Sequence, residues 1–397
     1  MRQAPDIAII GAGLGGLLLA RTLLARGIRA TVYERRASLT EPQALELRRP
    51  GDAERLFFGP TGKALLRHFL PPKMEDAFVQ ADPLLVLHPG GRRLVHLPTD
   101  ASSPYAAFMT PRDPLLVQLA SELPDGAIVF GAELTGLTQR GGAATLSFAD
   151  GREVVADAVV GADGVRSTLR QLAWSDPLRY LGLLLIEGRV PHWGGSPLPF
   201  EGQTLTLGRG TSFWLRRSAD GTGLTWTFSR NGRRDALLSH GPESLRAVVE
   251  REIGDWHAPL QAVLAATPDE TLRSLPLMGR SPPDPLFRDA VVLIGSAAHG
   301  CGPFLVPPTD ATIADAVELG EALASASITT LGVRFRRYAT AAHPRGVTAV
   351  TRGEWNGRLL HASSPLGRSA RDATLRMLGA AVERGRRRLT RGRPRPG

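Results

Sequence analysis

Three short stretches of the chain are apolar at nearly every position: residues 7–10, 157–161 and 290–295. Strands that are buried on both faces, as in parallel sheets, show such continuous runs instead of an alternation. The first run is followed by an apolar pattern of helical type that reaches Arg26, and then by a second short run at residues 30–33. This order predicts a strand–helix–strand unit of a parallel sheet.

Elsewhere the apolar positions alternate with polar ones, which is typical of strands with one buried face. Residues 84–97 alternate around Pro89-Gly90-Gly91, and residues 145–155 flank Asp150-Gly151, so both segments predict β-hairpins. Residues 181–230 read as strand after strand, with aromatic side chains between them. Helical patterns cover residues 112–123, 243–253, 310–324, 333–350 and 369–384.

The turn after the first strand carries Gly11, Gly13 and Gly16, which fit the G-x-G-x-x-G sequence of a Rossmann-like nucleotide-binding unit. Glycine permits a tight turn, close approach of the backbone to a pyrophosphate, and close packing of helix on strand. Glu34 follows the second strand, where a carboxylate can accept hydrogen bonds from a ribose. An α/β unit without a nucleotide is the alternative interpretation of this stretch. Residues 59–64 superficially suggest a phosphate loop, but their spacing is wrong.

The predicted fold class is therefore α/β, with a Rossmann-like domain interrupted by a β-sheet-rich domain and followed by C-terminal helices. The predicted nucleotide domain is discontinuous and comprises residues 1–80, 105–180 and 281–330. The predicted β-rich substrate domain comprises residues 81–104 and 181–280. Helices at 331–384 and a disordered arginine-rich tail at 385–397 complete the chain.

Composition and charge add little to this picture. The formal net charge of the 397 residues is +10, and seven arginines with no acid lie within residues 384–397, so the excess belongs to a solvated tail. We therefore expect no nucleic-acid partner. Cys301 is the only cysteine, which excludes an internal disulfide and suggests a reducing, cytoplasmic location. No apolar run approaches the roughly 18 residues of a membrane span.

Two further motifs follow the later apolar runs. The first is Gly161-Ala162-Asp163-Gly164-Val165-Arg166-Ser167, and the second is Gly295-Ser296-Ala297-Ala298-His299 with Pro303 four residues later. Together with the first glycine motif and Arg112, they resemble the single-component, class A FAD-dependent monooxygenases, or aromatic hydroxylases. Within that family, the tetracycline-inactivating enzymes look closest in layout.

The resemblance implies a flavoprotein that hydroxylates or epoxidises an aromatic or polycyclic molecule through a flavin C4a-hydroperoxide. NADPH or NADH would be the reductant and O₂ the oxidant; natural-product metabolism, including antibiotic biosynthesis, and a monomer or dimer are expected. The implied FAD contacts are Gly11, Gly13, Leu14, Gly16, Glu34, Arg35, Arg112, Asp163, Gly164, Gly295, Ser296 and Pro303. The implied catalytic residues are Pro303 and His299, the implied substrate contacts are Phe213, Trp226, Phe228 and Phe304, and no metal is expected.

Several of these residues also have a purely structural interpretation. Asp163 can cap its own loop, His299 can be a hydrogen-bonded turn residue, and the aromatic side chains between Phe213 and Phe228 can form the core of a sheet face. Each of these interpretations stays open at the level of sequence.

The segment after Pro303 departs from the family pattern. Serine stands at 296 where relatives have aspartate, and Val306-Pro307-Pro308-Thr309-Asp310 replaces a glycine-rich turn. Two prolines remove two N–H donors, and Asp310 adds an acid, so we expect a less stabilised anionic reduced flavin unless Asp310 is used as a helix cap. This departure motivates two alternatives: a non-redox FAD-containing cyclase or rearrangement enzyme, and an inactive relative that acts as a binding protein.

Overall fold

The computed structural model describes residues 4–40, 55–100, 103, 105–195, 198, 202–218, 221–234, 236, 241–302, 304 and 308–391. The chain divides into two compact units. Unit 1 comprises Met1–Phe78, Thr110–Arg179 and Met278–Glu354, and unit 2 comprises Val79–Met109, Tyr180–Leu277 and Trp355–Gly397.

The secondary structure alternates between the two units along the chain. The strands are β1 (Ile7–Ile10), β2 (Ala30–Tyr33), β3 (Arg55–Phe58), β4 (Val79–Gln80), β5 (Leu84–Leu87), β6 (Arg93–Leu97), β7 (Phe108–Pro111), β8 (Ile128–Val129), β9 (Leu134–Arg140), β10 (Ala143–Phe148), β11 (Glu153–Ala156), β12 (Ala158–Gly161), β13 (Arg179–Val190), β14 (Gln203–Leu207), β15 (Thr211–Arg217), β16 (Leu224–Asn231), β17 (Arg273–Gly279), β18 (Phe287–Arg288) and β19 (Val291–Leu293). The α-helices are α1 (Leu14–Leu24), α2 (Pro60–Leu66), α3 (Arg112–Ala120), α4 (Thr168–Trp174), α5 (Pro242–Ile253), α6 (Ala258–Ala265), α7 (Gly295–Ala298), α8 (Pro308–Leu323), α9 (Leu331–Leu360) and α10 (Pro365–Arg391).

The main sheet of unit 1 has the strand order β18-β19-β12-β1-β2-β8. β1 pairs in parallel with both β2 and β12, with Ile7 opposite Ala30 on one side and Ala158 on the other. β12 pairs in parallel with β19, and β18 closes the edge in the antiparallel direction. The three apolar runs of the sequence are therefore adjacent strands, and the predicted α/β fold class is confirmed.

Helix α1 is buried along most of its length because its sequence is apolar on nearly every face. It packs in one hydrophobic core with the sheet and with α8, where Leu17 and Leu18 of α1 join Ile313 and Ala316 of α8. A second, smaller sheet of unit 1 has the order β11-β10-β9, and its β10–β11 hairpin turns at the predicted Asp150-Gly151.

Unit 2 is built on a sheet with the order β17-β13-β16-β15-β14-β5-β6. The hairpin predicted around Pro89 is β5–β6, and β5 continues the sheet by pairing in parallel with β14. Apolar side chains of β13, β15 and β16 form one core with apolar side chains of α5 and α6. Helix α10 packs against β6, where Gly379 lies next to Val95.

The C-terminal helices differ from the prediction in extent and in domain assignment. Helix α9 runs through Pro344 to Leu360, and α10 begins at Pro365, where the missing N–H of proline has no cost. The helix backbone continues to Arg391, and residues 392–397 lie outside the described residues. The two helices form no separate domain, because the boundary between the units falls within α9. Of the helices in the described part of the chain, none is both long enough and apolar enough to cross a bilayer.

Candidate nucleotide and flavin site

The glycines before and within α1 differ in what surrounds them. Gly11 has φ +103°, and a Cβ there would lie 2.8 Å from the carbonyl oxygen of Ala162. A Cβ on Gly16 would lie 2.0 Å from the carbonyl oxygen of Gly11, so no side chain fits there. A Cβ on Gly13, in contrast, would meet no protein atom nearer than 4.0 Å, again the Ala162 oxygen. The fold itself therefore requires glycine at 11 and 16, while the space at Gly13 is left for a bound group.

The first turn of α1 is suited to an anion. Its N-cap residue, Gly13, has no side chain to cap the helix, and no acidic residue occurs in the first turn. Leu14, the first helical residue, is buried. A helix N-terminus of this kind binds phosphate through backbone N–H groups and the positive end of the helix dipole.

Glu34 lies at the end of β2, and its carboxylate is bound to the chain itself. Oε2 accepts a hydrogen bond from the Ala12 N–H at 2.8 Å, and Oε1 accepts from the N–H of Arg36 at 3.1 Å and from its Nε at 3.0 Å. Burial alone would raise the pKa of Glu34, but the hydrogen bonds and charge of Arg36 and the Ala12 N–H hold it below its ordinary value. Each carboxylate oxygen can accept two hydrogen bonds, so Oε2 keeps capacity for a ribose hydroxyl.

The arginine that pairs with Glu34 is Arg36, which the sequence interpretation missed. The Arg36 side chain is buried and also donates from Nη1 to the Leu39 carbonyl at 3.1 Å, whereas Arg35 is exposed. The available signal was a basic residue close in sequence to Glu34, two positions after it.

Asp163 follows β12 and serves partly as the loop cap that the structural interpretation proposed. Its Oδ2 accepts a hydrogen bond from the Leu169 N–H at 3.1 Å, at the start of α4. Its Oδ1 is buried and has no hydrogen-bond partner among the described residues. Burial raises the pKa of Asp163 above its ordinary value. Gly164, with φ +83° and open space at its Cβ position, completes the turn.

These segments meet at one edge of the sheet, at the carboxyl ends of parallel strands. Backbone hydrogen bonds join the strand ends in sequence. The Gly11 N–H donates to the Tyr33 carbonyl, and the Ala162 N–H donates to the Ile10 carbonyl. The Ile294 N–H donates to the Gly161 carbonyl. The helix connections leave β1 toward β2 on one side, while β12 and β19 lie on the other. Such a switch point is where open α/β sheets bind their ligands.

A buried ionic network holds the third motif in place. Gly295 has φ +55°, and its N–H donates to Asp315 Oδ2 at 2.8 Å. His299 Nε2 lies 2.6 Å from the same oxygen, and Arg345 Nη2 donates to Asp315 Oδ1 at 2.7 Å. Burial would raise the pKa of Asp315, but the charges and hydrogen bonds of His299 and Arg345 hold it below its ordinary value.

His299 is 2% exposed and Asp315 is fully buried. The network therefore fixes the Gly295–Ala298 turn, with His299 as one of its hydrogen-bonded members. A catalytic role of His299 stays a prediction. Ser296 is half-buried within the turn. Cys301 and Phe304 are buried in unit 1.

Two buried arginines tie the second motif to the third, and the sequence interpretation missed both. Arg170 donates from Nη1 to the carbonyls of Ala297 and Ala298, both at 2.9 Å, and from Nε to Asp176 at 2.6 Å. Arg280 donates from Nε to the Val165 carbonyl at 2.8 Å. No local pattern marks these residues, because their partners are distant in sequence.

Arg112 begins α3, and its side chain is mostly buried, with Nη1 donating to Asp113 at 2.7 Å. The other residue expected to influence the flavin, Asp310, lies in the first turn of α8 and faces α2. Its Oδ1 accepts from the Gly59 N–H at 2.9 Å, and burial raises its pKa although the Gly59 and Gly62 N–H groups oppose this. The carboxylate therefore serves neither as the cap of its own helix nor as a free charge. Pro303, Val306 and Pro307 lie outside the described residues.

The predicted aromatic substrate contacts in unit 2 are core residues. Phe213 and Trp226 stack with ring centroids 5.0 Å apart, and Trp226 Nε1 donates to Thr267 at 2.9 Å. Phe228 lies opposite Phe213 on the neighbouring strand and is fully buried. These rings pack under α5 and α6, so the structural interpretation, a sheet-face core, describes them.

Unit 1 thus fits a dinucleotide on grounds internal to the chain. The open space at Gly13, the uncapped start of α1 and the unpaired Asp163 Oδ1 are each unexplained by protein neighbours and are explained by a bound FAD. Among the described residues, no cluster of His, Cys, Asp or Glu side chains is arranged to hold a metal ion.

Comparison with known proteins agrees with this site. Residues 5–176 match the family model of the FAD binding domain. The chain is 30% identical over 322 residues to 3-amino-4-hydroxybenzoate 2-monooxygenase from Streptomyces cremeus, covering 79% of this chain and 77% of the relative. It is 28% identical over 352 residues to 6-hydroxynicotinate 3-monooxygenase from Pseudomonas fluorescens, covering 81% and 83% of the two chains.

Solved structures show the same fold over nearly the full length. Klebsiella pneumoniae HpxO, complexed with FAD and uric acid, aligns with a TM-score of 0.79 at 22% identity, covering 94% of this chain and 93% of that chain. The tetracycline destructase Tet(55) aligns with a TM-score of 0.69 at 16% identity, covering 96% and 97% of the two chains. From the site and these relatives, the chain belongs to the class A FAD-dependent monooxygenases.

Proposed function

We propose that this monooxygenase hydroxylates a small, planar, electron-rich aromatic ring, with NADH or NADPH as the reductant and O₂ as the oxidant. The observation that carries the proposal is the single sheet edge where the open Gly13, Glu34 and the unpaired Asp163 Oδ1 lie together. Bound FAD would supply the electron transfer and the oxygen transfer there.

Different residues of unit 1 hold different parts of that cofactor. The first turn of α1 binds the pyrophosphate, and Glu34 accepts a hydrogen bond from the ADP ribose. The Oδ1 atom of Asp163 accepts a hydrogen bond from a hydroxyl group of the cofactor. The Gly295–Ala298 turn, fixed by Asp315, presents backbone near the flavin end. Arg112, Ser296, Gly164 and Pro303 stay as proposed contacts. Arg35 is exposed, and its contact with FAD stays only a prediction of the family resemblance.

The substrate class follows from the relatives. The two curated relatives are named for hydroxylation of a hydroxynicotinate and of an aminohydroxybenzoate, and the HpxO structure holds uric acid. These molecules share a small planar ring with electron-donating substituents, which favours electrophilic oxygen attack. Phe304 remains a proposed substrate contact, whereas Phe213, Trp226 and Phe228 do not. A larger polycyclic substrate and a place in natural-product metabolism stay predictions.

No observation favours the non-redox cyclase as a second candidate. That alternative rested on the altered motif of Ser296, Val306, Pro307, Pro308 and Asp310. Of these residues, Asp310 is bound by the N–H groups of Gly59 and Gly62. The relatives are named as monooxygenases.

The test is isotope incorporation during turnover. Purified protein is mixed with NADH or NADPH and with 6-hydroxynicotinate, 3-amino-4-hydroxybenzoate or urate under ¹⁸O₂, and products are analysed by mass spectrometry. We expect released FAD after acid precipitation, substrate-stimulated oxidation of the nicotinamide, and one ¹⁸O atom in the product. A Gly13→Ala variant, which should fold but bind FAD at least tenfold more weakly, is the matched control. Product whose new oxygen comes from water would refute the proposal.

A further inference from the structure

Unit 2 contains a cavity that belongs neither to its hydrophobic core nor to the flavin motifs. Its volume is about 220 Å³, and it lies where the β14–β15 turn, α5 and α10 approach one another. Charged side chains line much of it: Arg209, Glu252, Arg368, Arg371 and Asp372. None of the flavin-motif residues of unit 1 lines this cavity.

Both acids at the cavity are already paired with arginines. Asp372 Oδ1 accepts from Arg371 Nε at 2.9 Å, and Glu252 lies 3.5 Å from Arg230. The remaining donors of Arg371 are used inside the protein, with Nη1 donating to the Gly208 carbonyl at 2.9 Å and to that of Leu360 at 3.2 Å. These two pairs leave no net charge at the cavity.

Arg209 and Arg368 therefore carry the uncompensated charge. Arg368 Nε is buried and has no hydrogen-bond partner among the described residues. Within the same part of the chain, neither guanidinium forms an ion pair. A buried N–H donor of a charged group that lacks a partner is costly, so a ligand that accepts from it gains affinity. Arg209 is exposed and adds a second guanidinium to the cavity. Two guanidinium groups at one cavity favour an anion with planar oxygens.

The rest of the lining is mixed: His88 and Thr211 are polar, and the other side chains are apolar. Trp256 is largely buried and borders the cavity, together with Leu207 and Pro89. An aromatic wall beside a pair of guanidinium groups suits a flat ring that carries a carboxylate. We propose that this cavity binds a small aromatic carboxylate of benzoate size, as a second site outside the flavin motifs.

The test measures binding of sodium benzoate to the FAD-loaded protein by isothermal titration calorimetry. Acetate and inorganic phosphate are titrated in parallel to separate a ring requirement from simple anion binding. The variants are Arg368→Met and Arg209→Met. The matched control is Arg384→Met, because Arg384 is an exposed arginine on the same helix that does not line the cavity.

We expect Arg368→Met to weaken benzoate binding at least tenfold, which corresponds to about 1.4 kcal/mol. Arg209→Met should weaken it by less, since Arg209 is exposed, and Arg384→Met should leave it unchanged. Benzoate bound at a substrate site would be insensitive to Arg368, so equal affinity in wild type and Arg368→Met would overturn the proposal. Absence of saturable binding, or tighter binding of phosphate than of benzoate, would also overturn it.

Discussion

Two glycine-rich helix starts in unit 1 have similar sequences and opposite surroundings. Helix α1 follows Gly11-Ala12-Gly13, has no acid in its first turn, and leaves open space at Gly13. Helix α2 follows Gly59 and contains Gly62, and both positions are covered by one carboxylate of the protein. A Cβ on Gly59 would lie 2.5 Å from Asp310 Oδ2, and a Cβ on Gly62 would lie 2.2 Å from Asp310 Oδ1.

The difference lies in where the anion comes from. Both helix starts attract negative charge through their N–H groups and dipoles. At α2 the protein supplies a carboxylate from α8. At α1 the Glu34 carboxylate accepts from the Ala12 N–H, which lies before the helix, and no acid lies in the first turn. A glycine-rich helix start therefore indicates a nucleotide site only when the fold leaves the helix end without an internal anion.

The largest expected effect comes from the glycine that the fold requires. Gly16→Ala would place a Cβ 2.0 Å from the Gly11 carbonyl oxygen, a backbone atom that cannot move without displacing the turn. We expect loss of soluble expression, or a fall in Tm of more than about 10 °C, as overpacking of this severity exceeds the usual 1–3 kcal/mol. Gly332→Ala is the control, since a Cβ there meets nothing within 4 Å. Normal folding of Gly16→Ala would contradict the packing described.

The next pair of variants separates stability from cofactor binding. Gly13→Ala should keep the Tm of the FAD-free protein but weaken FAD at least tenfold, because its Cβ enters space that the protein leaves open. Gly62→Ala should do the reverse, with a loss of about 1–3 kcal/mol of stability and unchanged FAD affinity, because it displaces the Asp310 carboxylate. Thermal unfolding and FAD fluorescence titration measure the two effects. If both variants lost FAD affinity equally, the comparison would fail.

The sequence predicted the parts of the site that depend on local geometry. The three apolar runs, the glycine turn and the acid at 34 are short-range patterns, and the structure brings them to one edge of the sheet. It did not predict Arg170 or Arg280, most of whose hydrogen bonds bridge 104 to 128 positions. The sequence also did not show whether Phe213 and Trp226 face a hydrophobic core or a substrate pocket. Periodicity indicates that a strand face is buried, but it does not indicate what packs against that face. The covering helix α6 was itself missed.

A smaller effect distinguishes neighbouring arginines after β2. Arg36→Ala removes both the Nε hydrogen bond and the charge beside Glu34, whereas Arg35 is exposed. We expect Arg36→Ala to weaken FAD about five- to thirtyfold and Arg35→Ala to change it less than twofold, in fluorescence titrations of the FAD-free protein. The reverse order would show that Arg35 contacts the cofactor directly, as the family resemblance implied.

The Glu34 carboxylate makes the stability of the protein depend on pH, and the sign of this dependence follows from its lowered pKa. Because the folded pKa of Glu34 is lowered, its ionised form contributes stability fully above its unfolded pKa of about 4.3, and the contribution is lost as the pH falls through the folded pKa. Glu34→Gln should therefore destabilise the protein at pH 7 and converge with wild type in acid. A difference in Tm that is constant down to pH 3 would argue against this assignment.

The smallest expected effect concerns the charge on Asp310, where two influences oppose each other. The N–H groups of Gly59 and Gly62 favour its ionised form, while burial favours the neutral form and prevails, so its folded pKa is raised. A carboxyl group of this kind stabilises the fold fully below its unfolded pKa of about 3.9 and loses that stabilisation as the pH rises through the folded pKa. Asp310→Asn keeps one acceptor for the Gly59 N–H and carries no charge. The variant should therefore become more stable relative to wild type as the pH rises from 4 to 7. The expected relative gain in Tm is about 2–4 °C, as for a change near 1 kcal/mol in a domain of this size. Thermal unfolding of both proteins at a series of pH values gives the measurement. A relative loss over the same range would mean that the N–H groups and helix dipole of α2 outweigh burial, and the folded pKa of Asp310 would then be lowered and not raised.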